Sequence, residues 1–332
     1  MAEYKGVMIF GEAKEGKLAS IATELLGGGR KLASDLGQEL SAVLVGCGIS
    51  SLAQEAIAFG ADKVYVVDDP LLQDYQTDSY VSVMEKVAGQ AMPQVILMGQ
   101  TSTGRDLAPR LAFRLNTTAS LGCLELAIDP QSKLLLQTKP VYGGNAQAVF
   151  VSESFPQIVT VRAKAMTPQE PDKSRKSEVI KIDAGLDPSA IRTKVVEKVT
   201  EKVEGIKLED AEVVVSGGRG IGSAEGFEQL AELAKTLKGA VGATRPPCDN
   251  GWVPAGAQIG LTGKIVTPEL YIAVALSGSS QHMSGCSGAK TIVTINKDPE
   301  ANIFREARFG VVGDWKKVLP AFADKLKELL AK

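Results

Sequence analysis

The chain is short of histidine, of aromatics, of net charge and of long apolar runs, and each shortage narrows what it can do. One histidine, His282, in 332 residues rules out a multi-histidine metal site, and any Ser-His-Asp or Cys-His arrangement would have to use that imidazole as its base. The four cysteines, Cys47, Cys123, Cys248 and Cys286, are widely scattered with no C-x-x-C pair. This argues against a zinc site, an iron–sulfur cluster or a disulfide framework, and for reduced, mostly buried thiols. A formal net charge of -2 gives no electrostatic case for nucleic acid or an acidic membrane surface. With Phe, Trp and Tyr at only 5%, stacking platforms for single strands are not expected either. No apolar run approaches the roughly 20 residues of a membrane span. The opening stretch "MAEYKGVMIFGEAKEGK" has neither the basic and apolar regions of a signal peptide nor an Arg-rich transit character, so a cytoplasmic protein is expected.

What is present is the composition of an ordinary globular protein, 44% hydrophobic and 23% charged, in a chain long enough for two domains. The first half alternates "GVMIF", "LSAVLVG", "KVYVV" and "QVILMG", which read as buried parallel strands, with amphipathic stretches that end in glycine. That β-α-β alternation predicts a doubly wound sheet. After Asn116 the texture changes, and "KLLLQTKPVYGGNAQAVFVSESFPQIVTVRAKA" predicts a meander or hairpin around a "YGGN" turn. Residues 165–178 read as an exposed connector, flanked by extended strands at "VIKIDA" and "KVVEKVTEKV". From Ala211 a second β-α-β series begins. It ends in a helix, "WKKVLPAFADKLKELLAK", whose internal proline predicts separate first turns. The expected domains are residues 1–205 and 206–332.

In the second half, the turns after strands carry the unusual residues. "SGGRGIGS", with Arg219, follows a strand and opens a helix; its glycines would free backbone N–H groups to approach an anion. A tight turn with a solvated arginine explains it equally well. "GATRPPCDNGW" places Thr244 and Arg245 on a loop stiffened by two prolines, with Asp249 and Asn250 read as turn chemistry. "QIGLTGKIVTPELY" offers small residues at Gly260, Thr262 and Gly263 that would admit something flat, and one hydroxyl. Finally, in "LSGSSQHMSGC", Ser277, Gly278, Ser279 and Ser280 start a short helix, with Gln281 and His282 one turn in. A lone histidine in that position is more often a structural hydrogen bonder than a ligand. Asn296 and Asp314 are two further polar groups at strand ends. Each alone is a turn; together, at the ends of successive strands, they suggest a large anionic nucleotide cofactor.

At these residues the sequence resembles the alpha (large) subunit of electron transfer flavoproteins, nearly end to end. "SGGRGIG", "GATR", "DNGWVP", "QIGLTGKIVTPELYIAVALSGSSQHMSG" and "KTIVTINKDPEANIF" follow the family's flavin-domain motifs in order. "GRDLAPRLAFRL", "KPVYGGN" and "PQIVTVR" add family-like motifs in the first half. The resemblance implies an α/β fold of two domains with mainly parallel sheets, the C-terminal one a Rossmann-like FAD-binding domain. It implies Arg219 near the phosphates and adenine half of FAD, and Thr244 and Arg245 at the flavin. Gln258, Ile259, Gly260, Leu261, Thr262 and Gly263 would line the ring, the Thr262 hydroxyl near N5. Ser277, Gly278, Ser279, Ser280 and Gln281 would hold pyrophosphate and ribityl oxygens, and Asn296 and Asp314 the adenosine end. His282 would point at the pyrimidine carbonyl O2, where reduction builds negative charge, and so would set the potential rather than act as a base. Leu261 stands where the family usually has Gln, and Pro246 and Pro247 where small aliphatic residues are common.

The resemblance further implies a heterodimer with a beta subunit, formed through the N-terminal domain, with AMP or a second FAD in that partner. The pair would carry electrons between flavin dehydrogenases, such as the acyl-CoA dehydrogenases of fatty acid β-oxidation, and a redox partner. The alternative is an NADH-dependent electron-bifurcating complex reducing ferredoxin or flavodoxin and an enoyl-CoA-type acceptor. A self-sufficient nicotinamide dehydrogenase would need an acidic ribose-binding residue about 20 residues past the glycines. The stretch "LKGAVGATR" has none. A pure interaction role fits the first domain only as half of the heterodimer.

Overall fold

The computed structural model describes residues 4–14, 16–144, 146–197 and 206–330. The chain divides into two compact units. The boundary expected at 205/206 and the end of the expected strand "KVVEKVTEKV" lie outside the described residues; its first residues, 194–197, form no strand.

In the first unit the apolar runs become β1 (Val7–Phe10), β2 (Leu40–Gly46), β3 (Lys63–Asp68), β4 (Val95–Gly99) and β5 (Ala119–Cys123). After them come β6 (Glu125–Ile128), β7 (Leu135–Val141), β8 (Ala146–Phe150), β9 (Gln157–Val161) and β10 (Glu178–Lys181). Seven of these make one sheet in the order β10-β3-β2-β1-β4-β9-β5, every pair parallel. Alternate residues of β1 feed opposite cores, as a period of two demands. Val7 and Ile9 join Leu25 and Leu26 of helix α1 (Ser20–Leu36). On the other side, Met8 and Phe10 join Met84 of α3 (Thr77–Ala91) and Leu107 of α4 (Ser102–Arg114). A short α2 (Ala53–Ala58) completes the first face.

One expectation needs correction here. "QIVTV" is not part of the meander: β9 is buried along its whole length and lies between β4 and β5. A strand with no polar face is stable only where helices or loops cover both sides. The hairpin strands β6, β7 and β8 instead form a separate three-stranded sheet. The connector, although mostly exposed, is anchored at its start. Glu24 of α1 accepts from Lys164 N at 2.6 Å, and a Cβ on Gly28 would lie 2.0 Å from Met166 Sδ. Gly27 and Gly28 are thus explained by the close approach of residues 166–168, while a Cβ on Gly29 would press on Leu40 and Ile9 of the sheet. "VIKIDA" contributes β10 at the sheet edge.

The second unit runs β11 (Val213–Gly217), α5 (Ala224–Thr236), β12 (Ala240–Ala243), α6 (Arg245–Asp249), β13 (Leu270–Val274), α7 (Ser280–Cys286) and β14 (Thr291–Asn296). It ends with α8 (Ile303–Glu306), β15 (Phe309–Val312) and α9 (Trp315–Leu330). The sheet order is β12-β11-β13-β14-β15, all parallel. Tyr271 and Ala273 of β13 face one core, Ile272 and Val274 the other. Helix α9 does not break at Pro320, contrary to expectation. Buried Trp315 and Leu319, with Phe322 and Leu326 packed beside them, hold both sides of the proline on the same core. The strand order reverses between β11 and β13, so the crevice at their carboxyl ends is the switch point where open α/β sheets bind ligands.

Candidate functional site

The loop after β11 is built for contact with the loop after β13. A Cβ on Gly218 would lie 2.4 Å from Ala275 O. Gly218 N donates to Val274 O at 3.0 Å and Gly220 N to Ala275 O at 3.2 Å, while Trp315 Nε1 donates to Gly220 O at 3.1 Å. These glycines therefore serve close backbone packing, and their amides are not free for an anion as expected. Arg219 stands exposed on a single 3₁₀ turn. Ser223 caps α5 through Gly226 N.

The loop after β13 is different. Ala275 sits at φ 51° and Gly278 at φ 73°. The first is a strained conformation for a residue with a Cβ, of the kind that gathers at functional sites. The amides of Ser277, Gly278, Ser279, Ser280 and Gln281 donate to no acceptor among the described residues. Successive unengaged N–H groups around a left-handed residue form a concave anion nest. The loop is fixed from behind by Ile303 N on Ser277 O at 3.1 Å and by Asn296 Nδ2 on Leu276 O at 2.8 Å. Asn296 is buried, and its Oδ1 accepts from Asp298 N. It supports the loop with one bond at each end of its amide. It still borders a cleft of about 40 Å³ with Gly220, Ala275, Lys297, Asp314 and Trp315. Asp314, exposed, caps α9 through Lys316 N at 3.0 Å.

Residues 244–249 also depart from expectation. Thr244 N donates to Gly217 O at 3.0 Å, and Arg245 begins helix α6 with both prolines in its first turn. Proline is tolerated there because first-turn amides have no partner to lose. The helical spacing then puts Asp249 one turn below Arg245, with Arg245 Nε to Asp249 Oδ2 at 3.1 Å and both side chains exposed. Asp249 is an ion-pair partner, not a turn residue.

The third segment crosses the front of α7. Ile259, 2% exposed, donates its N–H to Ala243 O. Gly260 has φ 145°, and a Cβ there would lie 2.8 Å from Gln281 O. Leu261 N donates to that same Gln281 O at 2.7 Å, while its side chain is 61% exposed. Thr262 is exposed, and Gln258 Nε2 donates to its Oγ1 at 2.9 Å. Gly263 N closes the turn onto Gly260 O. The 258–263 loop and the amide nest are thus bonded into one surface.

His282 is turned into the core: it is 4% exposed, with Nδ1 at 3.0 Å from Ile259 O and Nε2 at 2.8 Å from Tyr271 Oη. A carbonyl can only accept, so Nδ1 carries the proton and Nε2 accepts from the tyrosine. Burial pushes the His282 pKa down to about 4 and holds the fully buried Tyr271 hydroxyl well above its ordinary value. The pair is neutral, and it ties α7, β13 and the 259–264 loop together. Tyr271, Trp315 and Asp249 were not anticipated from the sequence. Only Asp249 left a signal there, its i,i+4 spacing from Arg245.

The donor set fits FAD. A nest of unengaged amides suits its phosphates, two exposed arginines add positive charge, and Leu261 and Thr262 give an apolar surface with one hydroxyl. Among the described residues no helix is long and apolar enough to cross a membrane, and no cluster of His, Cys, Asp and Glu could hold a metal.

Comparison with known proteins gives the family. The family model described as the electron transfer flavoprotein domain matches residues 7–187. That described as the electron transfer flavoprotein FAD-binding domain matches residues 207–287. Electron transfer flavoprotein subunit alpha of Thermoanaerobacterium thermosaccharolyticum is 46% identical over 99% of this chain and 100% of its own length. The subunit of the same name from Megasphaera elsdenii is 44% identical over 99% of this chain and 98% of its own. At 36% identity, over 98% of this chain and 96% of its own, stands the acryloyl-CoA reductase electron transfer subunit beta of Anaerotignum propionicum.

Proposed function

The chain belongs to the electron transfer flavoprotein alpha subunit family, and from that premise we propose that it is the FAD-carrying half of a heterodimeric electron carrier. The observation that carries this reading is the run of five unengaged amides at 277–281, beside the switch point and bonded to the loop that bears Thr262. These amides bind the phosphate and ribityl oxygens, with Arg219 toward the adenine half and Asp314 at the adenosine end. Residues 258–263 present a flat surface to the ring, and Thr244 and Arg245 flank it. Bound FAD supplies a ring system that takes up and releases electrons. The protein's part is to place a cation and a hydroxyl where charge builds and to keep a neutral His282–Tyr271 pair beneath. No residue acts as nucleophile or general base.

In the fuller reading, residues 1–205 dock a beta subunit that holds AMP or a second FAD. The cytoplasmic heterodimer then passes electrons between flavin dehydrogenases and a redox partner. A bifurcating role, with NADH as donor and ferredoxin or flavodoxin and an enoyl-CoA-type acceptor, is the second reading, favoured by the name of the Anaerotignum relative. The two separate on a count of nucleotides in the purified heterodimer. One FAD with one AMP supports the simple carrier, and two FAD bleached by NADH support bifurcation. Folded heterodimer without flavin would refute both.

A further inference from the structure

Gln258 and Thr262 make a hydrogen-bonded pair whose direction follows from the two groups. Gln258 Nε2 donates to Thr262 Oγ1 at 2.9 Å. A hydroxyl that accepts from an amide keeps its own proton for another acceptor. Thr262 Oγ1 donates to none of the described residues, and it faces solvent.

The loop is shaped to hold this pair. Gln258 O accepts from Lys264 N at 2.8 Å. A Cβ on Gly263 would lie 2.4 Å from Gln258 O and 3.0 Å from Gln258 Cγ, so any larger residue would push the glutamine off the turn. Ile259, between the two, is buried and pinned by His282 Nδ1 through its carbonyl. The pair therefore sits on a fixed base even though its own atoms are exposed.

We propose that Gln258 is a positioning residue for the flavin: by donating to Thr262 Oγ1 it turns the hydroxyl proton outward, so that the site offers the ring a donor and not an acceptor. This rests on the reading that FAD lies on the 258–263 loop. Gln258 acts through Thr262 and needs no contact of its own with the ring. A donor that strengthens as the ring gains charge favours the reduced form.

The test is a double-mutant cycle on the FAD-loaded heterodimer, read by midpoint potential and visible spectrum. Gln258→Met keeps the length of the side chain and removes the amide. Thr262→Val keeps the shape and removes the hydroxyl. Each single variant should lower the potential by about 30 mV, a tenfold shift of a two-electron equilibrium. The double variant should fall no further than Thr262→Val alone. Gln258→Glu, which can only accept, should shift the potential more in the native background than in Thr262→Val. Additive effects in the double variant, or equal shifts by Gln258→Glu in both backgrounds, would overturn the proposal. If Thr262→Val changes neither potential nor spectrum while FAD stays bound, the flavin is not on this loop, and the underlying placement falls first.

Discussion

Two all-parallel sheets in one chain offer two switch-point crevices, and they differ in the side chains that stand beside the loop amides. In the first unit the reversal lies between β1 and β4. Thr101 Oγ1 donates to Glu12 Oε1 at 2.8 Å and accepts from Gly104 N at 3.0 Å, and Gln100 pairs with Thr160. Burial pushes the Glu12 carboxyl up to about 7. These groups satisfy one another, and an acid sits where a phosphate would have to lie. In the second unit the corresponding loop leaves five amides without acceptors and tolerates Ala275 at positive φ. The amides of Thr101, Ser102 and Thr103 also donate to none of the described residues, so what distinguishes the two crevices is the Glu12 carboxyl bonded to Thr101 in the first and the longer amide run in the second.

The largest test of that contrast is Gly278→Val. Its φ of 73° and a Cβ position 2.5 Å from Ile303 N allow no side chain. We expect a cost of about 3 kcal/mol or more with loss of flavin, read by thermal melting and by cofactor content.

His282→Ala comes next. It leaves Ile259 O buried without its partner and takes from Tyr271 Oη its imidazole acceptor, at a cost of about 2–3 kcal/mol, and flavin occupancy should fall. The acid response carries the same signature. The folded pKa of about 4 lies below the ordinary 6.5, so the unfolded chain takes up the proton first. This contribution is complete above pH 6.5 and disappears as pH falls toward 4, and His282→Ala should flatten that limb of the stability curve.

The first unit should respond with the opposite sign. Glu24, accepting from Lys164 N, is raised by burial from 4.5 to about 7, so the folded state holds its proton more tightly. Its contribution is complete below pH 4.5 and is lost as pH rises through 7. Glu24→Gln should stabilise by about 1 kcal/mol at pH 8 and hardly at all at pH 4, which denaturant titrations at the two pH values would show.

Asp249→Asn is the smallest. An exposed ion pair contributes little, so stability should stay within about 0.5 kcal/mol. Freeing Arg245 should raise the flavin potential. An unchanged potential would remove Arg245 from the flavin's surroundings.

Most of the strands were legible because parallel strands covered on both faces are continuous apolar runs. β9 was misread only because its neighbours in sequence form a hairpin. Strand-end loops were legible as clusters of Gly, Ser, Thr and Arg. Side-chain direction was not, because it depends on groups brought in by the fold. His282 turns inward to Tyr271 and Ile259, which lie 11 and 23 residues away, and Asn296 turns to Leu276 for the same reason. Arg245 and Asp249 could have been paired had "RPPCD" been read as a helix with prolines in its first turn. Ala275 left no trace, since alanine carries no sign of positive φ.

The central claim is that FAD occupies the second crevice and not the first. Amide hydrogen exchange on the heterodimer, with and without FAD, tests it most directly. The account predicts slowed exchange at 277–281, with residues 11–12 and 100–104 unchanged. Protection at those first-unit loops, with 277–281 still exchanging freely in the flavin-loaded protein, would contradict it.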